Sequence, residues 1–260
     1  FDSGYLVGDG VWEAMRLYKG KLAFLDLHLN RLWDGSKAVG MDLGFDRKWL
    51  VDQIEMVLEA NKMKTGVHLR VMVTRGIKKT PSQDPRLTLT GPNLVIIAEY
   101  KTASEETRNK GITLFTSTVR RGSPDTLDPR LNCHSKLHEV QALIQAIEAG
   151  ADEALMLDVR GFVSTCNSTN FFIVKDGEVW TSTGAYCMNG ITRHNVIRIC
   201  KENGIVCKQK DFSLYDVYAA DEAFVTGSFG GLTPVNVVDG RKIEGRDLIN
   251  TLTRLYQKLR

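Results

Sequence analysis

The stretch from residue 128 to residue 158 holds two apolar patterns that constrain the fold. Residues 154–157 form a short apolar run after Gly150, which predicts a buried strand. The segment before Gly150 has aliphatic residues at spacings of three and four, which predicts one apolar face of a helix: Leu137, Val140, Leu143, Ile144 and Ile147. The stretch therefore predicts a fold in which helices alternate with strands.

Lys136 stands directly before this predicted helix. A lysine at a helix start above aliphatic side chains can be partly desolvated, which disfavours the charged ammonium and frees the amine to act as a nucleophile. The alternative is an ordinary solvated lysine on the surface, which is the commoner state. Lys136 alone leaves both interpretations open.

Composition excludes several classes of protein. The chain has 260 residues, of which 43% are hydrophobic, so a sizeable core can form. The net charge of +3 is too small to favour a nucleic-acid partner, and the absence of an 18-residue apolar run predicts no membrane helix. Five cysteines without a CxxC pair favour a reduced, cytoplasmic protein, and the five histidines lack metal-ligand spacing.

Local patterns predict two lobes of the α+β or α/β class. Residues 1–10 are expected to form a turn, and the charged segment 101–110 is expected to link the lobes. Asp176 and Gly177 predict a hairpin turn, and residues 217–220 another turn. The remaining elements are predicted as strands at 11–18 (or a short helix), 22–24, 68–74, 93–98, 112–119 and 224–226, and as helices at 27–39, 48–60, 190–202 and 248–259.

Two short motifs suit a phosphate group. Ile191 and Thr192 follow Gly190 at a predicted helix start, where unpaired N–H groups favour an anion, although an ordinary helix cap fits as well. The glycine-rich turn 226–231 would let the backbone approach a ligand closely, although it is also consistent with a plain loop. Arg31 could add a cation to the same phosphate.

Arg70 lies within the apolar strand 68–74. If its side chain points inward, it needs an anionic partner, which makes it a candidate for binding a substrate carboxylate. If it points outward, it is a solvated arginine on the strand surface.

The order of these motifs resembles that of class IV aminotransferases. These fold-type IV pyridoxal phosphate enzymes include branched-chain and D-amino acid transaminases, (R)-amine transaminases and aminodeoxychorismate lyases. The opening GDGVWEAMRLYKGKLAFLDLHLNRL resembles the family's GDGVFE…H..RL pattern. The later segments follow in the family's order: GADEALMLDVRGFV, the Asn-Phe-Phe strand, NGITR and TGSFGGLTPVNVVDG.

The resemblance spans nearly the whole chain, and it implies a fold and a set of ligands. It implies a small N-terminal α/β lobe at 1–100, a linker at 101–110 and a larger, barrel-like, cofactor-binding lobe at 111–260. The first strands of the N-terminal lobe are expected to precede Phe1. It also implies pyridoxal 5′-phosphate, a small-molecule amino donor, a keto acid acceptor and a homodimer.

The resemblance assigns roles to matching positions. Arg31 and the helix start at Ile191 and Thr192 would bind the cofactor phosphate. Ser228 and Phe229 would cap the phosphate and face the substrate carboxylate, and Arg70 would lie on the substrate side.

Two positions depart from the family pattern. The family's Schiff-base lysine falls on Asn132, and the nearby lysine is Lys136, four residues later. One helical turn, about 6 Å of rise, would separate the two positions if both lay on one helix. The family's glutamate at the pyridine nitrogen falls on Thr165, which is neutral and would weaken the cofactor as an electron sink.

Three hypotheses follow. The first is an aminotransferase in which Lys136 forms the Schiff base and carries the proton between substrate and cofactor. The second is a lyase of the aminodeoxychorismate type with the same fold and cofactor. The third is a degenerate homologue that binds the cofactor, or another phosphate ligand, without transamination.

Overall fold

The computed structural model describes residues 1–259, and within them the side chains of all but residues 105, 106 and 108. The chain divides into two compact units. The first comprises Phe1–Thr102 with Leu131–Lys136, and the second comprises Ala103–Arg130 with the chain from Leu137 onward. Both units contain helices and strands, so the predicted α+β class is confirmed. That residues 101–110 link the two lobes stays a prediction.

The first unit is built on a four-stranded antiparallel sheet in the order β2-β1-β3-β4. Its elements are α1 Ser3–Val7, β1 Gly10–Tyr18, β2 Lys21–Leu22, α2 Leu25–Ala38, α3 Arg47–Ala60, β3 Val67–Thr74, a 3-10 turn at Pro85–Leu87 and β4 Asn93–Tyr100.

One face of this sheet forms the core of the first unit. Alternate residues of β1 and β3 are buried, as the two-residue period of a strand requires, including Met15, Leu69 and Val71. The apolar stripes of α2 and α3, which include Leu32 and Leu50, belong to the same cluster. The opposite face of β1 therefore holds its partly exposed residues.

The predicted turn at residues 1–10 is wrong in part. Residues 3–7 form the short helix α1, because the Asp2 carboxylate accepts hydrogen bonds from the N–H groups of Gly4 and Tyr5. Gly8 ends the helix with a positive φ of 70°.

The second unit is built on a nine-stranded mixed sheet. Its path is β10-β9-β8-β11-β12-β5-β6-β7, and β13 pairs with β12. Its elements are α4 Glu105–Lys110, β5 Ile112–Thr116, α5 Leu137–Glu148, β6 Glu153–Leu157, β7 Val163–Cys166, β8 Asn170–Lys175, β9 Glu178–Thr181, α6 Ile191–Glu202, β10 Cys207–Gln209, α7 Leu214–Tyr218, β11 Glu222–Gly227, β12 Gly231–Val238, β13 Arg241–Lys242 and α8 Asp247–Gln257.

Of two turns predicted in this unit, one is present and the other is present only in part. The hairpin between β8 and β9 turns at Asp176 and Gly177, whose φ angles of 52° and 75° are those of a tight hairpin turn. The turn predicted at 217–220 is wrong in part, because Val217 lies in α7, which a capping box of Ser213 and Asp216 begins.

Helix α5 packs inward through small alanine side chains. Ala142 and Ala146 are fully buried and pack with Ala154 and Met156 of β6. Four residues of the predicted apolar face lie instead in solvent, with exposed fractions of 71%, 50%, 49% and 62%: Leu137, Val140, Ile144 and Ile147. The predicted helix is therefore present, and its apolar face forms a stripe on the surface of α5.

In residues 1–259, no helix is long and apolar enough to cross a membrane. Among the side chains that the structure describes, no group of three or more His, Cys, Asp or Glu residues is arranged to hold a metal ion.

We expect Leu50→Ala to lower the free energy of unfolding by about 2–5 kcal/mol, because it leaves a cavity at a fully buried position of α3. Met56→Ala is the matched control, since Met56 lies on the same helix with 57% exposure, and its effect should be about 0.5 kcal/mol or less. Urea unfolding followed by circular dichroism measures both. Equal destabilisation by the two variants would contradict the assignment of Leu50 to the core.

Candidate functional site

A buried carboxylate holds Arg31 in the first unit. The Glu13 side chain on β1 is 1% exposed, and both its oxygens accept hydrogen bonds from Arg31: Nε at 2.6 Å and Nη2 at 2.8 Å. His28, one turn earlier on α2, donates from Nδ1 to Glu13 at 2.6 Å. The fork-to-fork geometry fixes the guanidinium plane, so Arg31 is a pre-oriented cation.

The ionisation of Glu13 depends on these partners. Burial by itself would raise the pKa of Glu13 from its ordinary value, but hydrogen bonds and charge from Arg31 and His28 outweigh burial and lower it. Glu13 is therefore an anion at neutral pH.

Asn132 joins the same cluster from a distant part of the sequence. Its backbone carbonyl accepts from the Trp12 N–H, and the His134 N–H donates to the Gly10 carbonyl, so residues 132–134 run along β1 like an extra strand. The Asn132 side chain is buried, and its Nδ2 donates to the Trp12 carbonyl at 2.5 Å. Nδ2 also lies 3.5 Å from Glu13 Oε1.

Lys136 is half-buried and lies outside a helix. Helix α5 begins at Leu137, whereas Asn132 belongs to the strand-like segment. The two residues therefore do not share a helical face, and the condition under which one helical turn would separate them is not met. Four residues of extended chain span up to about 13 Å, compared with about 6 Å for a helical turn. Catalysis by Lys136 stays a proposal.

Arg70 lies on the partly exposed face of the first sheet. Its guanidinium stacks over the Trp12 ring at 4.3 Å, in register with Ala14 and Ile97 on the neighbouring strands. Among the carboxylates whose side chains the structure describes, none forms an ion pair with Arg70. A half-buried cation without an acidic partner is available to an anion.

The start of α6 in the second unit has the features of an anion site. Gly190 caps the helix without a side-chain hydrogen bond, which leaves the first N–H groups without intrahelical acceptors. Ile191 and Thr192 are both buried there, and the Thr192 hydroxyl lies 3.3 Å from the Tyr256 hydroxyl. Gly190 is required because a Cβ would collide with the Asn170 amide.

Asn170 ties this helix start to Thr165. Its Oδ1 accepts from the Gly190 N–H at 3.2 Å, while its Nδ2 donates to the Met188 carbonyl at 2.9 Å and lies 3.3 Å from the Thr165 hydroxyl. Thr165 is buried, and its hydroxyl donates to the Thr169 carbonyl at 2.7 Å. Sequence reasoning noted the strand of Asn170 but missed this linking role, which depends on contacts across three elements.

Ser228 and Phe229 form the tip of a hairpin. Gly227 pairs with Gly231, so residues 228–230 connect β11 to β12, and both predicted residues are half-buried. Directly before the tip, the Thr226 hydroxyl is buried and has no partner in the described part of the chain. An unpaired buried hydroxyl of this kind fits a polar ligand.

A cavity of about 510 Å³ lies elsewhere in the first unit. Trp33 and Lys37 near the end of α2 line it, together with Met41, Asp42 and Phe45. It contains none of the residues singled out from the sequence.

A second buried ion pair escaped sequence reasoning. Arg121 Nη1 donates to Glu139 Oε1 at 2.8 Å and lies 3.1 Å from His138 Nε2. The pair anchors the first turn of α5 within the second unit, and Glu139 is buried although it interrupts the apolar pattern. A charged residue on the inward side of a helix has no signal in hydrophobic periodicity.

Comparison with known proteins places most of the chain in one family. The model of the family described as amino-transferase class IV matches residues 10–238. Branched-chain-amino-acid aminotransferase-like protein 2 of Arabidopsis thaliana is 38% identical over 257 residues, which are 99% of this chain and 46% of that protein. The chain thus spans about half the length of the first curated relatives that it matches.

A shorter relative matches over most of its own length. The putative branched-chain-amino-acid aminotransferase of Methanocaldococcus jannaschii is 35% identical over 263 residues, covering all of this chain and 89% of that protein. Among solved structures, a T.th. branched-chain amino acid aminotransferase with pyridoxamine 5′-phosphate superposes with a TM-score of 0.91. It is 28% identical, and the match covers 99% of this chain and 86% of that one.

We expect Glu13→Gln to lower the free energy of unfolding at neutral pH by about 3–5 kcal/mol, because it leaves the Arg31 charge without its buried partner. The folded-state pKa of Glu13 lies below its ordinary value of 4.5. Its ionised form therefore stabilises the protein above that value, and this contribution is lost as the pH falls through the folded-state pKa.

Urea unfolding at several pH values tests this expectation. The difference between wild type and Glu13→Gln should shrink in acid. Glu99→Gln is the matched control, since Glu99 is 51% exposed on the same sheet and should contribute about 1 kcal/mol or less. A difference that is constant from pH 7 to about pH 3 would contradict an ionised Glu13.

Proposed function

Because the chain belongs to the class IV aminotransferase family, we propose that it is a pyridoxal 5′-phosphate-dependent aminotransferase. It would move an amino group between an amino acid, or a primary amine, and a 2-keto acid. The observation that carries the proposal is the buried Glu13 carboxylate, which accepts a hydrogen bond from His28 and holds the Arg31 guanidinium in a fixed direction for a phosphate. The names of the relatives favour an aliphatic, branched-chain amino acid as the donor.

The cofactor phosphate is proposed to meet two kinds of donor. Arg31 supplies the fixed guanidinium, and the free N–H groups of Ile191 and Thr192 supply the positive end of a helix. The backbone N–H groups of Ser228 and Phe229 are proposed to cap the phosphate and to face the substrate carboxylate. These roles follow from the family resemblance, and the uncapped helix and the unpaired Thr226 hydroxyl support them.

Substrate recognition is proposed to involve Arg70. Its stacking on Trp12 holds the guanidinium in place while leaving its N–H donors for an anion. A substrate carboxylate would supply the negative charge that the described residues do not provide to Arg70.

Pyridoxal 5′-phosphate, when bound, supplies an electron-withdrawing ring that stabilises the carbanion formed at the substrate Cα. Thr165, at the position expected to face the ring nitrogen, is neutral and donates its hydroxyl hydrogen to Thr169. It therefore cannot hold that nitrogen protonated as a carboxylate does, and proton abstraction at the substrate Cα should be slow. Lys136 Nζ is proposed to carry that proton.

A specific observation favours a second function. Asn132, at the position expected for the family's lysine, is buried and hydrogen-bonded to the backbone of β1. An amide is not a nucleophile toward an aldehyde, so a degenerate homologue would bind the cofactor without covalent attachment. Covalent attachment of the cofactor to Lys136 would distinguish the aminotransferase from the degenerate homologue.

We expect Lys136→Ala to lower the turnover of an aminotransferase by at least about three orders of magnitude, because its nucleophile is removed. The wild type with pyridoxal 5′-phosphate and borohydride should carry a stable label on the Lys136 peptide. Lys64→Ala, an exposed lysine of the first unit, is the matched control and should retain both activity and label. No label, or a label on another lysine, would favour the degenerate homologue.

An assay of the reaction products distinguishes an aminotransferase from a lyase of the aminodeoxychorismate type. A transferase yields a keto acid and a new amino acid, whereas the lyase releases pyruvate without an acceptor. Transfer is the preferred proposal because the two curated relatives described above are named as an aminotransferase-like protein and a putative aminotransferase.

We further propose a homodimer in which a second copy covers the exposed stripe of α5. Leu137, Val140, Ile144 and Ile147 are spaced three, four and three residues apart, which is the spacing of a helix that packs against another helix. Antiparallel pairing about position 142 places Leu137 opposite Ile147 of the second copy, and Val140 opposite Ile144. One patch can thus cover itself, as a two-fold interface requires.

Charge is compatible with this pairing. Antiparallel helices place Glu148, at the end of α5, beside the first turn of the other α5, where the helix dipole favours a negative charge. The other exposed residue near the stripe, Gln141, is neutral, so like charges do not meet.

We expect Ile144→Glu to convert the dimer into a monomer, because two carboxylates would face the apolar stripe at the centre of the interface. Sedimentation velocity at micromolar concentration measures the change. Met56→Glu is the matched control on the exposed side of α3 and should leave the dimer intact. A wild type that is monomeric, or a dimer unaffected by Ile144→Glu, would exclude this interface.

The five cysteines are free thiols, and four of them are buried. This pattern supports a reducing compartment, and we propose the cytoplasm.

A further inference from the structure

Asn132 carries a buried acceptor that the chain does not use. Asn132 is 5% exposed, and its Oδ1 accepts no hydrogen bond from any group that the structure describes. Buried polar atoms are paired in most proteins, so an unpaired one calls for a donor from outside the chain.

The orientation of the Asn132 amide is determined by its surroundings. Nδ2 faces the Trp12 carbonyl at 2.5 Å and Glu13 Oε1 at 3.5 Å, and both of these atoms are acceptors. A flipped amide would place its oxygen against them, so Nδ2 must occupy this side. The unpaired atom is therefore an oxygen, and it needs an N–H or O–H donor.

Charge does not restrict that donor further, because Arg31 balances the carboxylate beside Asn132. The Glu13 carboxylate next to Asn132 is an anion held by Arg31 and His28. The requirement on the donor is therefore only an N–H or O–H group that can reach Asn132 Oδ1. An aldehyde oxygen offers no hydrogen to Asn132 Oδ1.

The two forms of the proposed cofactor differ in whether the group at the 4′ position can donate a hydrogen bond. The aldehyde form has only acceptor atoms at its 4′ position, whereas the amine form, pyridoxamine 5′-phosphate, has N–H donors there. We propose that Asn132 Oδ1 accepts a hydrogen bond from the 4′-amine of pyridoxamine 5′-phosphate, so that this chain selects the amine form of the cofactor. The inference rests on the proposed cofactor, and it gives Asn132 a binding role where an amide has no covalent one.

Two non-covalent probes test this role without involving any lysine. Pyridoxamine 5′-phosphate carries an aminomethyl group at ring position 4. In 4′-deoxypyridoxine 5′-phosphate a methyl group replaces this aminomethyl group, and the ring and phosphate are the same. Isothermal titration calorimetry of the full chain should show about tenfold tighter binding of the amine-bearing probe. Asn132→Leu should remove this difference by weakening the amine-bearing probe alone.

Asn30→Leu is the matched control, since Asn30 is an exposed asparagine of the same unit, and it should preserve the tenfold difference. Equal affinity of the wild type for both probes would overturn the role of Asn132, even if Asn132→Leu fails to fold. Equal weakening of both probes by Asn132→Leu would assign Asn132 a structural role only. If neither probe binds the wild type, the proposed cofactor itself is wrong, and this inference falls with it.

Discussion

The ionised Glu13 is the constraint on which the arrangement of the first unit depends. A buried carboxylate is costly unless its charge is balanced and its oxygens are hydrogen-bonded. Arg31 and His28 meet this requirement from α2, which must therefore pack against β1 in a single orientation. The same requirement fixes the direction of Arg31, so one interaction both stabilises α2 on the sheet and prepares a cation for a ligand.

Much of the fold was predictable where the determining residues are neighbours in sequence. The hairpin at Asp176 and Gly177 and the helix that starts after Gly190 follow from local backbone chemistry, and the structure has both. The helix α1 was missed because its cap, Asp2, sits among turn-forming residues that predict a loop equally well.

The less predictable features depend on residues distant in sequence. Periodicity identified α5 but not its inward side, because small Ala142 and Ala146 allow a closer approach to β6 than the larger aliphatic residues do. Likewise, nothing near Asn132 in the sequence indicates that it lies beside Trp12 and Glu13, about 120 residues earlier. The cation at Arg31 was proposed from the sequence, whereas the Glu13 anion that holds it became clear only from the structure.

The two departures from the family pattern share a physical character. Asn132 and Thr165 are neutral residues at positions expected to be charged. The side chain of each donates a hydrogen bond to a backbone carbonyl. A lysine at position 132 would add a cation beside Glu13, which Arg31 already neutralises, whereas asparagine leaves that balance unchanged. The carboxylate and guanidinium therefore satisfy each other without a third charge, and the oxygen of Asn132 remains for a donor that the ligand must bring.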